Sequence, residues 1–222
     1  MKPLDRRERR WALAVTAASV ALVLLLAAWI HHSAAPFWLD TAGQRVADAR
    51  VFGLPLVPDR AAVLVISLGD TPTFVTLAVV VVVAALLLRD FIGAVVAAAA
   101  CPLALSATEL IGKPLVGRRE GAGGYGFPSG HTTAVATLVA LVGLLAYRRW
   151  GMRGLSAAAA VAVLVPIMAL SLVRANYHLF SDTVAGAVVG GGTVLGLAWL
   201  ASALVAWRTA EPLTPAAELP DG

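Results

Sequence analysis

The chain has 222 residues, 59% of them hydrophobic and only 14% charged, with a formal net charge of +4 and a mean hydropathy of +0.84. Soluble domains carry about 45–50% apolar and about 25% charged residues, so these values exclude an ordinary water-soluble domain and point to a polytopic membrane protein. The basic residues form no single solvated patch of the kind that binds nucleic acid. The lone cysteine, Cys101, excludes an intramolecular disulfide and argues against a zinc or iron–sulfur centre.

In chain order, a basic leader, KPLDRRERR, precedes the first apolar block at 11–30. The leader resembles a signal peptide, but its apolar part exceeds the usual length of about 7–15 residues, so an uncleaved first helix is expected. Further spans are expected at 71–88, 91–110, 132–147, 155–173 and 183–207. The apolar stretch 61–68 is short and ends at Gly-Asp-Thr-Pro; it is expected to be interfacial or re-entrant, with membership of the second span as the alternative. The polar, proline-bearing end EPLTPAAELPDG is expected to be disordered. The fold class is therefore all-α: a leader at 1–10, a six-helix membrane bundle at 11–207, and a cytoplasmic tail at 208–222.

Basic loops stay on the cytoplasmic side of a membrane. With the N-terminus inside, ten Lys and Arg residues fall on the inner face and seven on the outer. Four of the outer seven, Lys113, Arg118, Arg119 and Arg174, stand beside histidine-bearing segments. If those four serve a site, the remaining bias is ten to three and the orientation follows.

The polar chemistry gathers on that outer face, in KPLVGRREGAGGYGFPSGH and SLVRANYHLFSD. Charged residues beside spans are costly and usually functional. Pro128, Ser129, Gly130 and His131 stand at the mouth of the fourth span. A helix start leaves about four N–H groups unpaired and carries partial positive charge, which together attract phosphate. Ser129 suits a cap or an anion donor, Gly130 lets backbone approach closely, and His131 stands where it can protonate a leaving oxygen. An ordinary capped helix with a surface histidine would carry the same letters.

In the second segment, His178 and Asp182 are four apart and share one face of a helical turn, with Arg174 four residues earlier. A carboxylate on one imidazole nitrogen leaves the other as nucleophile or base. Lys113, Arg118 and Arg119 complete a phosphate-binding set. No Asp/Glu-rich metal cage is visible, so metal-free phosphoryl transfer without a cofactor is expected.

These residues resemble the type 2 phosphatidic acid phosphatase family, which includes membrane lipid phosphatases and shares its site with vanadium haloperoxidases. The family pattern is a Lys with Arg-Pro seven residues on, then Pro-Ser-Gly-His, then Ser-Arg followed by His and Asp. Residues 128–131 match the middle part in full, a chance of roughly one in a thousand at average residue usage. Ser171, His178 and Asp182 keep the spacing of the third part. Glu120 and Gly121 stand where Arg-Pro is expected, so Arg118 or Arg119 must serve as the first arginine. Leu172 replaces the second, and Arg174 lies about 200° around a helix from it.

The resemblance implies a two-step displacement. His178, oriented by Asp182, attacks phosphorus, and His131 protonates the leaving group. Lys113, Arg118, Arg174, Ser129 and Gly130 hold the phosphoryl oxygens. The implied partners are a membrane lipid substrate and the bilayer, with no nucleic acid. The substrates considered are undecaprenyl or other polyprenyl diphosphate, phosphatidic acid and phosphatidylglycerol phosphate. The alternatives are a catalytically inactive lipid-binding or transport relative, and a haloperoxidase, against which the six spans argue.

Overall fold

The computed structural model describes residues 3–31, 35–51, 53–119 and 124–209. Glu120 and Gly121 lie outside them, as does the tail from 210 onward whose disorder was expected. Helix α1 (Arg6–His31) begins inside the basic leader, which is therefore continuous with the first span rather than a separate segment. Between the first two spans lie α2 (Trp38–Ala47), a hairpin of β1 (Arg50–Val51) and β2 (Leu54–Pro55), and α3 (Asp59–Ser67). The stretch expected to be interfacial or re-entrant is thus helix α3, bent by 65° from α4 (Thr71–Leu87). Its Val65 and Ile66 pack on the buried cluster of Val135, Met168 and Leu172.

The third span is longer than expected and runs from Phe91 to Val116. It comprises α5 (Phe91–Ser106), a π-helical turn (Ala107–Gly112) and α6 (Lys113–Val116). Pro114 has no N–H to offer the carbonyl four residues back, and the backbone accommodates it in the wider turn, where the Lys113 N–H reaches the Thr108 carbonyl. Gly117, at φ +67°, closes the helix in the left-handed conformation that glycine adopts without penalty. The remaining spans are α7 (Gly130–Trp150), the pair α8 (Met152–Ala162) and α9 (Leu164–Arg174), and α10 (Phe180–Thr209). The break between α8 and α9 falls at Val163, where Pro166 leaves the Ala162 carbonyl without its helical donor.

Among the described residues, five helical segments are long and apolar enough to cross a membrane, and the bent pair of α3 and α4 makes six if it forms one span. Helix α4, with 17 residues, gives that sixth span about 25 Å of rise. Helix α7 packs on α4, α5, α8, α9 and α10. The largest core cluster joins Phe74, Val96, Ala100, Leu138, Leu141 and Val194. Leu25, Leu87, Val95, Leu110 and Leu204 are exposed on the outside of the bundle, as lipid-facing residues must be.

Two glycines bring α10 against the start of α7. A Cβ on Gly186 would lie 2.5 Å from the Ser129 carbonyl oxygen, and one on Gly190 would lie 2.6 Å from that of Thr133. Such small residues four apart let helix backbones approach closely. At the opposite end of α7, Arg148 donates to both Asp90 oxygens, at 2.7 and 2.8 Å. Burial pushes the Asp90 carboxyl up, but this ion pair and the Gly93 N–H override it and hold it below its ordinary value.

Candidate active site

Ser129 is the N-cap of α7 and is fully buried. Its Oγ accepts from the Thr132 N–H at 3.4 Å and from the Thr132 hydroxyl at 3.2 Å. Its own N–H donates to the Asp182 carbonyl at 2.9 Å, tying the starts of α7 and α10 together. Of the two roles expected for the Ser129 hydroxyl, cap or anion donor, the structure displays the cap. The first-turn residues beyond the cap, Gly130 and His131, line a cavity of about 260 Å³ with Lys113, Glu109 and His178. The Phe127–Pro128 peptide bond just before the cap is cis.

His178 lies in the short link between α9 and α10, and its ring is nearly buried. Its Nδ1 is 3.9 Å from Asp182 Oδ2, aligned but longer than a hydrogen bond. Such contacts in unliganded enzymes commonly tighten when substrate binds. Burial, and then the charges of Lys113 and His131, push the His178 ring down to about 4, with a Gly126 backbone hydrogen bond working the other way. The ring is thus neutral at neutral pH.

Asp182 Oδ2 accepts the Leu179 N–H at 3.0 Å, and Oδ1 accepts from Arg118 Nη1 at 3.0 Å. Arg118 also donates to Ser181 Oγ at 2.8 Å and to Asp40 at 3.2 Å. Its guanidinium is buried, and the structure places it away from the cavity as a strut between two carboxylates. Arg118, expected to contact phosphate, thus has Asp40, Asp182 and Ser181 as its partners here. Arg119 is exposed and pairs by backbone with Tyr125.

Arg174, also expected to hold phosphate, has partners at the start of α3. Its Nη1 donates to the Val57 carbonyl at 2.5 Å and its Nη2 pairs with Asp59 at 2.7 Å. It lines a separate cavity of about 490 Å³ beside α3. Helix α9 is regular up to Arg174, so the two-residue offset turns the side chain to another side, while Leu172 is buried in the core.

The structure adds two carboxylates that sequence reasoning missed. Glu109, on the π-helical turn, pairs with Lys113 at 2.9 Å and abuts Gly130, where a Cβ would lie 2.5 Å from Oε1. Asp70, the N-cap of α4, meets His131 Nε2 at 3.3 Å. The i,i+4 spacing of Glu109 and Lys113 was the available signal for the first. For the second, Asp70 was legible only as a helix start.

Lys113, His131 and His178 thus converge on one cavity at a helix N-terminus, an arrangement suited to phosphoryl binding and transfer. The PAP2 superfamily model matches residues 11–206 of the sequence. The chain belongs to the PAP2 superfamily. Comparison with curated proteins finds no match. Among solved structures, the chain resembles the crystal structure of the first transmembrane PAP2 type phosphatidylglycerolphosphate phosphatase from Bacillus subtilis. The TM-score is 0.58 at 17% identity, covering 90% of this chain and 98% of that one. The fold is therefore that of a transmembrane PAP2 protein. Of the residues that carried the resemblance, Lys113, Gly130, His131 and His178 line one cavity, with Asp182 beside His178.

Proposed function

We propose that this PAP2 protein removes phosphate from a membrane lipid phosphate or diphosphate, through a phosphohistidine on His178, without a divalent metal. The observation that carries the reading is the meeting of Lys113, His131 and His178 around one cavity at the mouth of α7. The phosphoryl group enters against Lys113 and the first-turn amides of Gly130 and His131, taking over Lys113 from Glu109. The neutral His178 ring supplies its lone pair to phosphorus, the P–O bond breaks, and His131 gives its proton to the departing oxygen. Asp182 steadies the ring as it becomes cationic. In the second step water attacks phosphorus, His131 takes its proton, and the N–P electron pair returns to the ring. Dividing the reaction in this way lowers an otherwise large barrier.

The site is proposed to face away from the cytoplasm, where a carrier lipid such as undecaprenyl or another polyprenyl diphosphate requires dephosphorylation. Phosphatidic acid-type lipids present the same terminal phosphate. The test is phosphate release by the purified protein from a panel of both lipid classes, with and without a chelator. Release that survives the chelator and is blocked by vanadate is expected. Loss in chelator, restored by Mg²⁺, contradicts the mechanism. Absence of release from every lipid, with vanadate still bound, favours an inactive binding relative.

A further inference from the structure

Asp40 belongs to none of the three motif segments, yet it is among the most deeply buried carboxylates of the molecule, at 2% exposure. Helix α2 carries it to the site because Gly43, one turn on, packs directly against the Phe180 ring at the start of α10. Its Oδ1 accepts the Ser181 N–H at 2.8 Å. Its Oδ2 accepts the Phe37 N–H at 3.2 Å and Arg118 Nη2 at 3.2 Å. Arg118 therefore stands between two carboxylates, Asp40 on one side and Asp182 on the other, with all three side chains at 3% exposure or less.

An arginine facing a single buried carboxylate would pair with it through both nitrogens and neutralise it. Here the fork is split: Nη2 goes to Asp40, and Nη1 is shared between Asp182 and Ser181. One guanidinium set against two carboxylates leaves the cluster with a formal surplus of negative charge next to His178. We propose that Asp40 is a positioning residue for phosphoryl transfer, drawing Arg118 off Asp182 so that Asp182 remains available to the nucleophilic ring. This deepens, and rests on, the reading of His178 as the nucleophile.

The reaction gives that surplus charge its use. When the His178 lone pair forms the N–P bond and the P–O pair leaves with the alkoxide or phosphate, the ring keeps its other proton and becomes cationic. A group that interacts more strongly with this cationic ring than with the neutral one lowers the barrier without tightening substrate binding. Asp40 acts on that difference through Arg118. Lys113 and the α7 amides act on the phosphoryl oxygens and are untouched by it.

The experiment uses the full-length protein in detergent with a lipid phosphate substrate. Asp40→Asn is expected to lower kcat roughly tenfold, less than the ~10²–10³ of a donor that touches the reacting oxygens. KM and inhibition by inorganic phosphate should stay within about two-fold, because ground-state binding is not involved. Phosphoenzyme formation, followed by alkaline quench in a single turnover, should slow by the same factor as kcat. Ser181→Ala, which hands Nη1 wholly to Asp182, should lower kcat in the same direction, and it keeps the test open if Asp40→Asn does not fold. Asp40→Asn combined with Arg118→Gln should lose less than the product of the two single losses, since without Arg118 there is nothing to draw off.

Unchanged turnover in both Asp40→Asn and Ser181→Ala overturns the proposal. So does a loss in Asp40→Asn matched by equally weakened inhibition by inorganic phosphate, which would make Asp40 part of the scaffold alone. Parent-level turnover by His178→Ala would instead remove the nucleophile reading itself, whatever the Asp40 variants do.

Discussion

His178 illustrates how burial and neighbouring charge choose the protonation state of a catalytic ring. An imidazole ordinarily titrates near about 6.5, and here burial with Lys113 and His131 holds the ring near 4. Between those values the unfolded chain binds more protons than the folded one, so folding stability falls as pH drops from about 6.5 towards 4. The melting temperature in detergent should fall relative to that of His178→Gln over that range, and the difference should level off below it. An identical slope in the variant would show that the ring titrates normally. Arg174 supplies a second expectation. It is held by Val57 and Asp59 in the neighbouring cavity, so Arg174→Ala should leave kcat within a few-fold; a large fall would put the arginine on the phosphoryl group. Among single residues, His131, His178, Asp182 and Lys113 were legible because their spacing and helix-mouth position speak directly of the chemistry. Asp40 was not, because the partner that gives it meaning, Arg118, lies 78 residues away. The carboxylate partners of Arg118 were hidden for the same reason, since Asp40 and Asp182 lie far from it in the chain.

At the level of elements, the site exists because α10 lies directly on the first turns of α7. Gly190 makes that approach possible, since a Cβ there would meet the Thr133 carbonyl oxygen at 2.6 Å and the Thr137 nitrogen at 2.8 Å. Gly190→Val should therefore separate the helices, lowering stability by about 1–3 kcal/mol and reducing phosphate release further than the loss of folded protein explains. Gly191, with nothing within 4 Å of its Cβ position, is the control, and Gly191→Val should be harmless in both assays. Equal effects of the two substitutions would contradict the packing account. The six spans were legible from apolar blocks alone, and the α8–α9 break follows from Pro166. The π-helical turn was not legible. Pro114 announces a disturbance, but only the packed structure shows that the backbone absorbs it by widening one turn, which leaves Glu109 and Lys113 together in the cavity. The bent joint between α3 and α4 was read as a boundary, and its second role, presenting Asp70 to His131, depends on a contact across the fold.

For the whole molecule, charge and aromatic residues describe the membrane setting. Exposed Trp11, Trp150 and Trp207 mark one end of the bundle, and exposed Trp29, Trp38 and Tyr177 mark the other, as aromatic belts do at both interfaces of a bilayer. The second end carries the cavity, and the orientation proposed for the site turns that end away from the cytoplasm. With Cys101 replaced by alanine, Gly124→Cys, at an exposed position beside the site, should react with a membrane-impermeant thiol reagent in intact cells. Labelling only after lysis would reverse the orientation. The central claim is that one histidine carries the phosphoryl group between lipid and water. Its most direct test is to mix the purified protein with lipid labelled at the terminal phosphate, quench in alkali during turnover, and map the label by peptide. The account predicts label on His178 in the parent protein, its disappearance on chase with unlabelled lipid, and neither label nor phosphate release in His178→Ala. Steady turnover with no trapped label at His178, or phosphate release undiminished in His178→Ala, would contradict it.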